Sequence, residues 1–256
     1  MSAAVRVESS GSWDGMEAVE IAAALRLPGV VAVDSTPSTL DLAHALAADG
    51  APSGTLVLAD EQTSGRGRGG KRWTSEPGQG IWLTLVERAV DPGMPGVLAL
   101  RLGIAAAEAL EPLAPATIRV KWPNDLWIGD GKLAGILAEA RWRDGVVEWV
   151  AVGMGVNVRP PRGVPNASGL RGGVPRLAAL ARLVPALRDA AARRGALDAR
   201  ELALLEARDL ARGREIREPA PGRVEGISGE GALLVRASDG TVSAQRAGSL
   251  VFTEDA

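Results

Sequence analysis

Four short segments of this chain carry side chains suited to a negatively charged reactant. GRGRGG at residues 65–70 combines glycines with Arg66 and Arg68 directly after a strand-like stretch. Glycine lets main-chain N–H groups approach a ligand closely, and a guanidinium fork matches a carboxylate or a phosphate. KWPNDLW at 121–127 ends a strand in a proline-fixed turn and sets an amide, Asn124, beside a carboxylate, Asp125. In GKLAGILAE at 131–139, Lys132 puts a cation at the edge of an apolar strand. GMGVNV at 153–158 closes a buried strand with two glycines, for close backbone approach, and Asn157 as a polar reader. Each segment alone has a plainer reading: a solvated basic loop or an RG-rich RNA-binding stretch, an ordinary turn, a snorkelling lysine, a β-bulge.

Composition narrows the chemistry. The 256 residues hold no cysteine and one histidine, His44, which excludes disulfides, thiolate metal sites, thiol nucleophiles and multi-histidine metal sites. A metal, if used, is a hard cation on oxygen ligands. The net charge of −2 gives no global pull on nucleic acid or anionic membrane, so an anionic ligand must be met by a local cluster. Residues 64–73, SGRGRGGKRW, supply one, with Arg66, Arg68, Lys71 and Arg72 and no acid. Of 29 basic residues only Lys71, Lys121 and Lys132 are lysine. Lysine in an arginine-biased chain points to sites where a compact ammonium is needed. His44, on an amphipathic helix with no cysteine or serine partner in view, reads as a surface histidine. The N-terminus lacks a secretory pattern and no apolar run is long enough to span a bilayer, so a cytoplasmic protein is expected.

These groups need a scaffold. Met16 to Leu25 reads as a short helix and GVVAVD at 29–34 as a strand. Ser38 or Thr39 caps a helix running past His44 to about Ala48, and TLVLAD at 55–60 is the next strand. IWLTLVER at 81–88 alternates like a half-buried strand, and Pro95 opens a helix. TIRVKW, KLAGILAEARW and VVEWVAVGMGVNV read as three further strands, the last two joined by an Asp144-Gly145 turn. Helices follow around 176–193 and 198–211, then short β segments in REIRE, RVEGIS, ALLVRA and TVSAQRAGSLVF. The order is α+β with a small C-terminal β unit. Residues 1–15 are expected to be disordered, 16–211 to form the main domain and 212–256 the appended one. Most of the seven tryptophans, all within residues 1–149, read as core.

Together, GRGRGGKRW, KWPND, GKLAGIL and GMGVN, with DST at 34–36 and DEQTSGRGR at 60–68, resemble the catalytic domain of biotin protein ligases over about residues 30–158. PGRVEGISGEGALLV at 221–235 is similar to that family's C-terminal SH3-like β-barrel. The resemblance implies a mixed-sheet domain of the biotin/lipoate ligase type, like class II aminoacyl-tRNA synthetases. It implies ATP and Mg²⁺, biotin as substrate, biotinyl-5′-AMP as intermediate, and a lysine of a biotin carboxyl carrier domain as acceptor. By the same resemblance Ser35, Thr36 and Gln62 hold the ureido ring, and the biotin tail runs under Gly65, Arg66, Gly67 and Arg68. Lys132 meets the carboxylate beside Gly135, Trp73 packs on adenine, Asn124 and Asn157 lie on the nucleotide side, and Asp125 serves the acceptor lysine. Lys132, Arg68 and Asp125 are thus the expected catalytic residues, with no protein metal site and a monomer or weak homodimer.

The chemistry explains the cations. Two like unit charges 4 Å apart repel by about 4 kcal/mol at an effective dielectric near 20, which slows a reaction by roughly hundreds of fold if uncompensated. Lys132 and Arg68 are expected to neutralise a carboxylate approaching ATP, and the glycine-rich loop to order over the product. This chain departs from the family pattern in two places: Pro37 replaces an asparagine, and Gly69 and Lys71 replace arginines. The second change implies weaker retention of the adenylate. The 33 residues before Asp34 are too few for a winged-helix DNA-binding domain, so no nucleic-acid partner is expected. The alternatives are a lipoate protein ligase and a non-enzymatic RG-loop module that binds nucleic acid.

Overall fold

The computed structural model describes residues 8–88, 90 and 95–253. Two short strands, β1 (Ser12–Trp13) and β2 (Met16–Glu17), precede α1 (Ala18–Leu25), β3 (Val30–Thr36), α2 (Thr39–Ala48) and β4 (Thr55–Gln62). Next come β5 (Gly80–Glu87), α3 (Pro95–Leu110), β6 (Ile118–Lys121), β7 (Asp125–Ile128), β8 (Gly131–Arg143) and β9 (Val146–Asn157). Helices α4 (Arg176–Ala191) and α5 (Ala199–Arg208) lead to β10 (Glu215–Glu218), β11 (Gly222–Ile227), β12 (Leu233–Arg236), β13 (Val242–Gln245) and β14 (Val251–Phe252).

Seven strands form one mixed sheet in the order β3-β4-β5-β9-β8-β7-β6, in which β3 and β4 are parallel and the other pairs antiparallel. Both faces are covered. Leu56, Leu58, Leu83 and Leu85 point into the main core with α3 and α4, while Val57 and Val86 meet Ala43 and Ala47 of α2. This explains a departure from the sequence pattern: β5 alternates in residue type, yet all eight of its residues are buried, because helices lie on both sides. Strand β7 also departs from expectation, since the proline turn before it concealed a four-residue strand. Asp144 and Gly145 both adopt positive φ, 51° and 78°, as the tight β8–β9 hairpin requires.

The N-terminal segment differs from the expected disorder. Ser10 hydrogen-bonds with Val30 and Ala32 at the edge of β3, and Trp13 is buried with its indole N–H donating to the Ala59 carbonyl at 3.2 Å. A buried tryptophan carries more apolar area than any other side chain, enough to fix a segment that composition reads as loose. Residues 1–7 of that expectation lie outside the described residues.

Strands β10–β14 form a separate five-stranded antiparallel sheet in the order β13-β12-β11-β10-β14. TVSAQRAGSLVF, expected as one β segment, is split into β13 and β14, which lie at opposite ends of this sheet. Ile216, Val224, Leu233, Val235, Leu250 and Phe252 join the same apolar cluster as the main domain. The Trp122 indole donates to the Gly231 carbonyl at 3.0 Å, and Leu197 N to Gly229 O at 2.8 Å. No helix among the described residues is long and apolar enough to cross a membrane.

A buried ion pair staples α3 to α5. Arg101 Nε and Nη2 lie 2.7 and 3.1 Å from the two carboxylate oxygens of Glu201, both residues being about 95% shielded. Burial alone pushes the Glu201 carboxyl up, but the Arg101 hydrogen bond, the Asp198 N–H and the Arg101 charge together hold it below the ordinary carboxylate range. A lowered folded pKa means that this stabilisation is present above the unfolded value of about 4.3 and is lost as pH falls through the folded value. Glu201→Gln should therefore cost about 3–5 kcal/mol in urea unfolding at pH 7, because a buried guanidinium is left without its counter-charge. The deficit should shrink as pH falls below 4; a constant deficit would assign the loss to packing.

Candidate active site

A narrow cleft opens on the α2 face of the large sheet, lined among others by Gln62, Arg66, Gly67, Arg68, Trp73, Asn124, Asp125, Lys132 and Gly135. Its floor is built without side chains. Gly135 of β8 and Gly155 of β9 are directly paired across the strands, and the Trp73 indole lies on them. A Cβ at Gly155 would come 2.5 Å from the indole, and one at Gly135 would come within 3.0 Å. Trp73 also meets Trp82 edge-on, with centroids 6.3 Å apart.

Lys132 stands at the rim of this floor. Its ammonium is 2.7 Å from Asp125 Oδ2 and 5.2 Å from the Trp73 ring centroid. Both Lys132 and Asp125 remain partly exposed, so the ion pair borders the cleft and is not sealed in the core. A second, more open cleft lies beyond, lined by Trp73, Trp127, Lys132, Asn157 and the 161–167 loop. Trp73 and Lys132 line both clefts. The Asn157 amide donates to the Lys132 carbonyl at 3.1 Å, while its own buried oxygen has no partner, nor do the indole N–H groups of Trp73 and Trp127.

The glycine-rich segment is a narrow hairpin over the first cleft. Gly67 N donates to Lys71 O at 2.7 Å and Trp73 N to Gly65 O at 2.9 Å. Gly69 and Gly70 form the tip with φ of 66° and 74°, a left-handed conformation that an arginine at 69 would adopt only at a cost. The base is tied to the end of β3: Thr63 N donates to Thr36 O at 2.9 Å, and Ser64 N to Pro37 O at 3.0 Å. Pro37 therefore still anchors the loop through its carbonyl, although it brings no N–H. The arginines are tied back to the body of the protein. Arg66 pairs with Asp41 at 2.8 Å and Glu139 at 3.2 Å, Arg72 donates to Thr63 O, and Arg68 donates to the Gly248 carbonyl of the C-terminal sheet.

The structure brings most of the residues singled out in the sequence to one place, in varied settings. Lys132, Arg68, Asp125, Gln62, Arg66, Gly67, Trp73, Asn124 and Gly135 line the first cleft, and Asn157 lines the second. Gly65 is buried at the loop base, packed against Gln62, Trp73 and Ser75. Ser35 and Thr36 are not among the residues lining the first cleft, and the Ser35 hydroxyl donates to Glu61 at 3.2 Å. Gln62 has its carbonyl oxygen held by Thr39 N at 2.9 Å, which caps α2, and donates its amide to Ser75. Asn124 donates to Ile136 O at 2.7 Å. Thr39, Leu40, Gly153, Met154 and Gly155 also line the cleft. The GMGVNV segment carried the signal for close backbone approach at its two glycines, and Gly153 and Gly155 do line the cleft.

Residues 30–157 match the family model of the biotin/lipoate A/B protein ligase family, and the chain belongs to that family. Among curated relatives, the bifunctional ligase/repressor BirA of Bacillus spizizenii is 41% identical over 129 residues, which are 49% of this chain and 39% of that protein. The biotin--[acetyl-CoA-carboxylase] ligase of Mycobacterium tuberculosis is 38% identical over 146 residues, 54% of this chain and 53% of the relative. The matched segment thus spans about half or less of these relatives. The fold is similar to that of a biotin protein ligase from Aquifex aeolicus solved with biotin and ATP, with a TM-score of 0.74 at 24% identity, over 88% of this chain and 99% of the other.

The glycine floor is open to test without a ligand. Gly155→Ala should lower stability by about 1–3 kcal/mol through overpacking against the Trp73 indole. In a Trp73→Ala background the same substitution should cost little, giving a clear coupling in a double-mutant cycle. Equal costs in both backgrounds would place the strain elsewhere.

Proposed function

We propose that this chain activates biotin with ATP and passes it to a lysine of a biotin carboxyl carrier domain. The observation that carries the reading is the placement of Lys132: one ammonium borders two clefts, one floored by glycine under an arginine-bearing loop, the other lined by Trp73, Trp127 and Asn157. Support also comes from the names of the relatives and from the complexes in which similar folds hold biotin and ATP.

In the first step a carboxylate oxygen of biotin attacks the α-phosphorus of ATP. The bond to the β-phosphate oxygen breaks, and pyrophosphate leaves with the electron pair. Lys132 lies between the incoming carboxylate and the α-phosphate and neutralises part of both charges. Arg68 adds a second cation from the loop. The Asp125 carboxylate already holds Lys132, so it orients the ammonium and tempers its attraction for either anion. Among the described residues no cluster of three or more carboxylates or histidines surrounds the clefts. Mg²⁺ carried in on the triphosphate would supply charge neutralisation to the leaving pyrophosphate, with Asp125 the carboxylate at the first cleft that could approach it.

In the second step the acceptor's neutral amine attacks the acyl carbon, the bond to the phosphate oxygen breaks, and AMP departs. The amine must shed a proton, and Asp125 is the carboxylate bordering the cleft that can accept or orient it. The hairpin's arginines are engaged with Asp41, Glu139, Thr63 and Gly248, which leaves few forks for a nucleic-acid backbone. This disfavours the RG-loop module.

Biotin-dependent exchange of labelled pyrophosphate into ATP tests the reading, with lipoate as the competing acid. Exchange should require biotin, and Lys132→Ala should lower it by about two orders of magnitude. Asp125→Asn should still form the adenylate yet transfer it at least about tenfold more slowly to a carrier domain. Exchange driven by lipoate and not biotin would move the substrate to the other branch of the family; exchange with neither would end the proposal.

A further inference from the structure

The chain's single histidine is not a surface residue. His44 on α2 has a side chain only 13% exposed, and both ring nitrogens are engaged. The Trp149 indole N–H donates to Nδ1 at 2.9 Å. Nδ1 must therefore be the acceptor, and the ring proton sits on Nε2. That N–H points at Glu139 Oε2, 3.1 Å away. Glu139 in turn holds Arg66 of the hairpin by both oxygens, at 3.2 and 3.4 Å, and Asp41, one helical turn before His44, grips the same guanidinium at 2.8 Å.

Three elements thus converge on one loop arginine: α2 through Asp41 and His44, β8 through Glu139, and β9 through Trp149. The indole N–H donates to the imidazole and the imidazole N–H to the Glu139 carboxylate, which also accepts from the Arg66 guanidinium, so the carboxylate is held from both sides and its orientation is fixed. A glutamate at a sheet surface otherwise samples several rotamers, and ordering it costs entropy that a second hydrogen bond offsets. Arg66 is the residue at which the hairpin leaves its base, where it bridges Arg72 across the loop. Fixing Arg66 therefore fixes how the hairpin lies over the cleft.

We propose that His44 is a positioning residue for the glycine-rich hairpin, holding Glu139 so that it clamps Arg66 and keeps the loop seated over the cleft. Its consequence for catalysis rests on the proposed adenylate chemistry: a well-seated hairpin slows escape of the activated acid without changing how fast that acid forms. Glutamine at 44 places an amide N–H near the position of Nε2, whereas leucine fills the space with no donor.

The test compares His44→Leu and His44→Gln with the full wild-type chain. Limited trypsin digestion without any ligand reads the loop directly, since Arg66, Arg68, Lys71 and Arg72 are cleavage sites. In His44→Leu, cleavage within residues 66–72 should rise roughly tenfold, the effect of losing one hydrogen bond to a charged group. His44→Gln should restore most of the protection. Release of biotinyl-5′-AMP, measured by chase, should follow the same order while the pyrophosphate exchange rate stays within about twofold. Unchanged cleavage in His44→Leu overturns the proposal. So does increased cleavage across the whole chain with a matching fall in Tm, or a glutamine variant no better than leucine. A digestion result of the expected form with no adenylate made by the wild type would keep the positioning role and discard the proposed activity.

Discussion

One ammonium with more than one suitor organises this site. Lys132 Nζ lies 2.7 Å from Asp125 and over the Trp73 ring, at the boundary of two clefts. An isolated lysine there would attract any anion and would lose solvation as a ligand closed over it. A lysine already held by a carboxylate keeps its charge and direction while retaining only part of its pull. For the proposed reaction that balance is useful, because the cation must draw two anions together and then release a product in which one negative charge has disappeared. Strand β8 supplies the rigidity: Lys132 N donates to Asn166 O at 2.7 Å and its carbonyl receives Ser168 N and the Asn157 amide.

Around that cation the structure is built by subtraction. Gly135 and Gly155, opposite each other in β8 and β9, remove side chains where Trp73 must lie flat against the sheet. Trp73 belongs to the hairpin's return strand, so the same contact that forms the cleft wall also seats the loop. The C-terminal sheet takes part through the Gly248 carbonyl, which receives the Arg68 guanidinium, and through Phe252, whose ring lies 5.1 Å from Lys121 Nζ. Lys121 sits 4.6 Å from the Trp127 ring as well. Two of the three lysines in an arginine-rich chain thus stand against aromatic faces in or beside the clefts, where a compact cation fits.

Much of this was legible in the residues. The α+β order, the Asp-Gly hairpin, the C-terminal β unit and the four segments that build the cleft all follow from periodicity, turn chemistry and motif. Most of what escaped shares one cause, dependence on partners far away in the chain. The role of Gly155 is defined by an indole at 73. Gln62, expected to meet a ligand, has its carbonyl oxygen used to cap α2 at Thr39. Trp13 anchors a segment that composition reads as disordered, and His44 finds its purpose only through Trp149 and Glu139. Strand β7 was hidden because a Pro-Asn-Asp turn and a strand start overlap in the same few residues.

In the proposed function the Lys132 charge, tempered by Asp125, selects for a carboxylate at the meeting point of the two clefts. Calorimetric titration of biotin and of its alcohol analogue, in which the carboxylate becomes a neutral CH₂OH, tests this most directly in the wild type and in Lys132→Met. The acid should be preferred roughly tenfold or more in the wild type, about 1.4 kcal/mol, and this preference should disappear in the variant. An equal preference in both proteins, or none in the wild type, would contradict it.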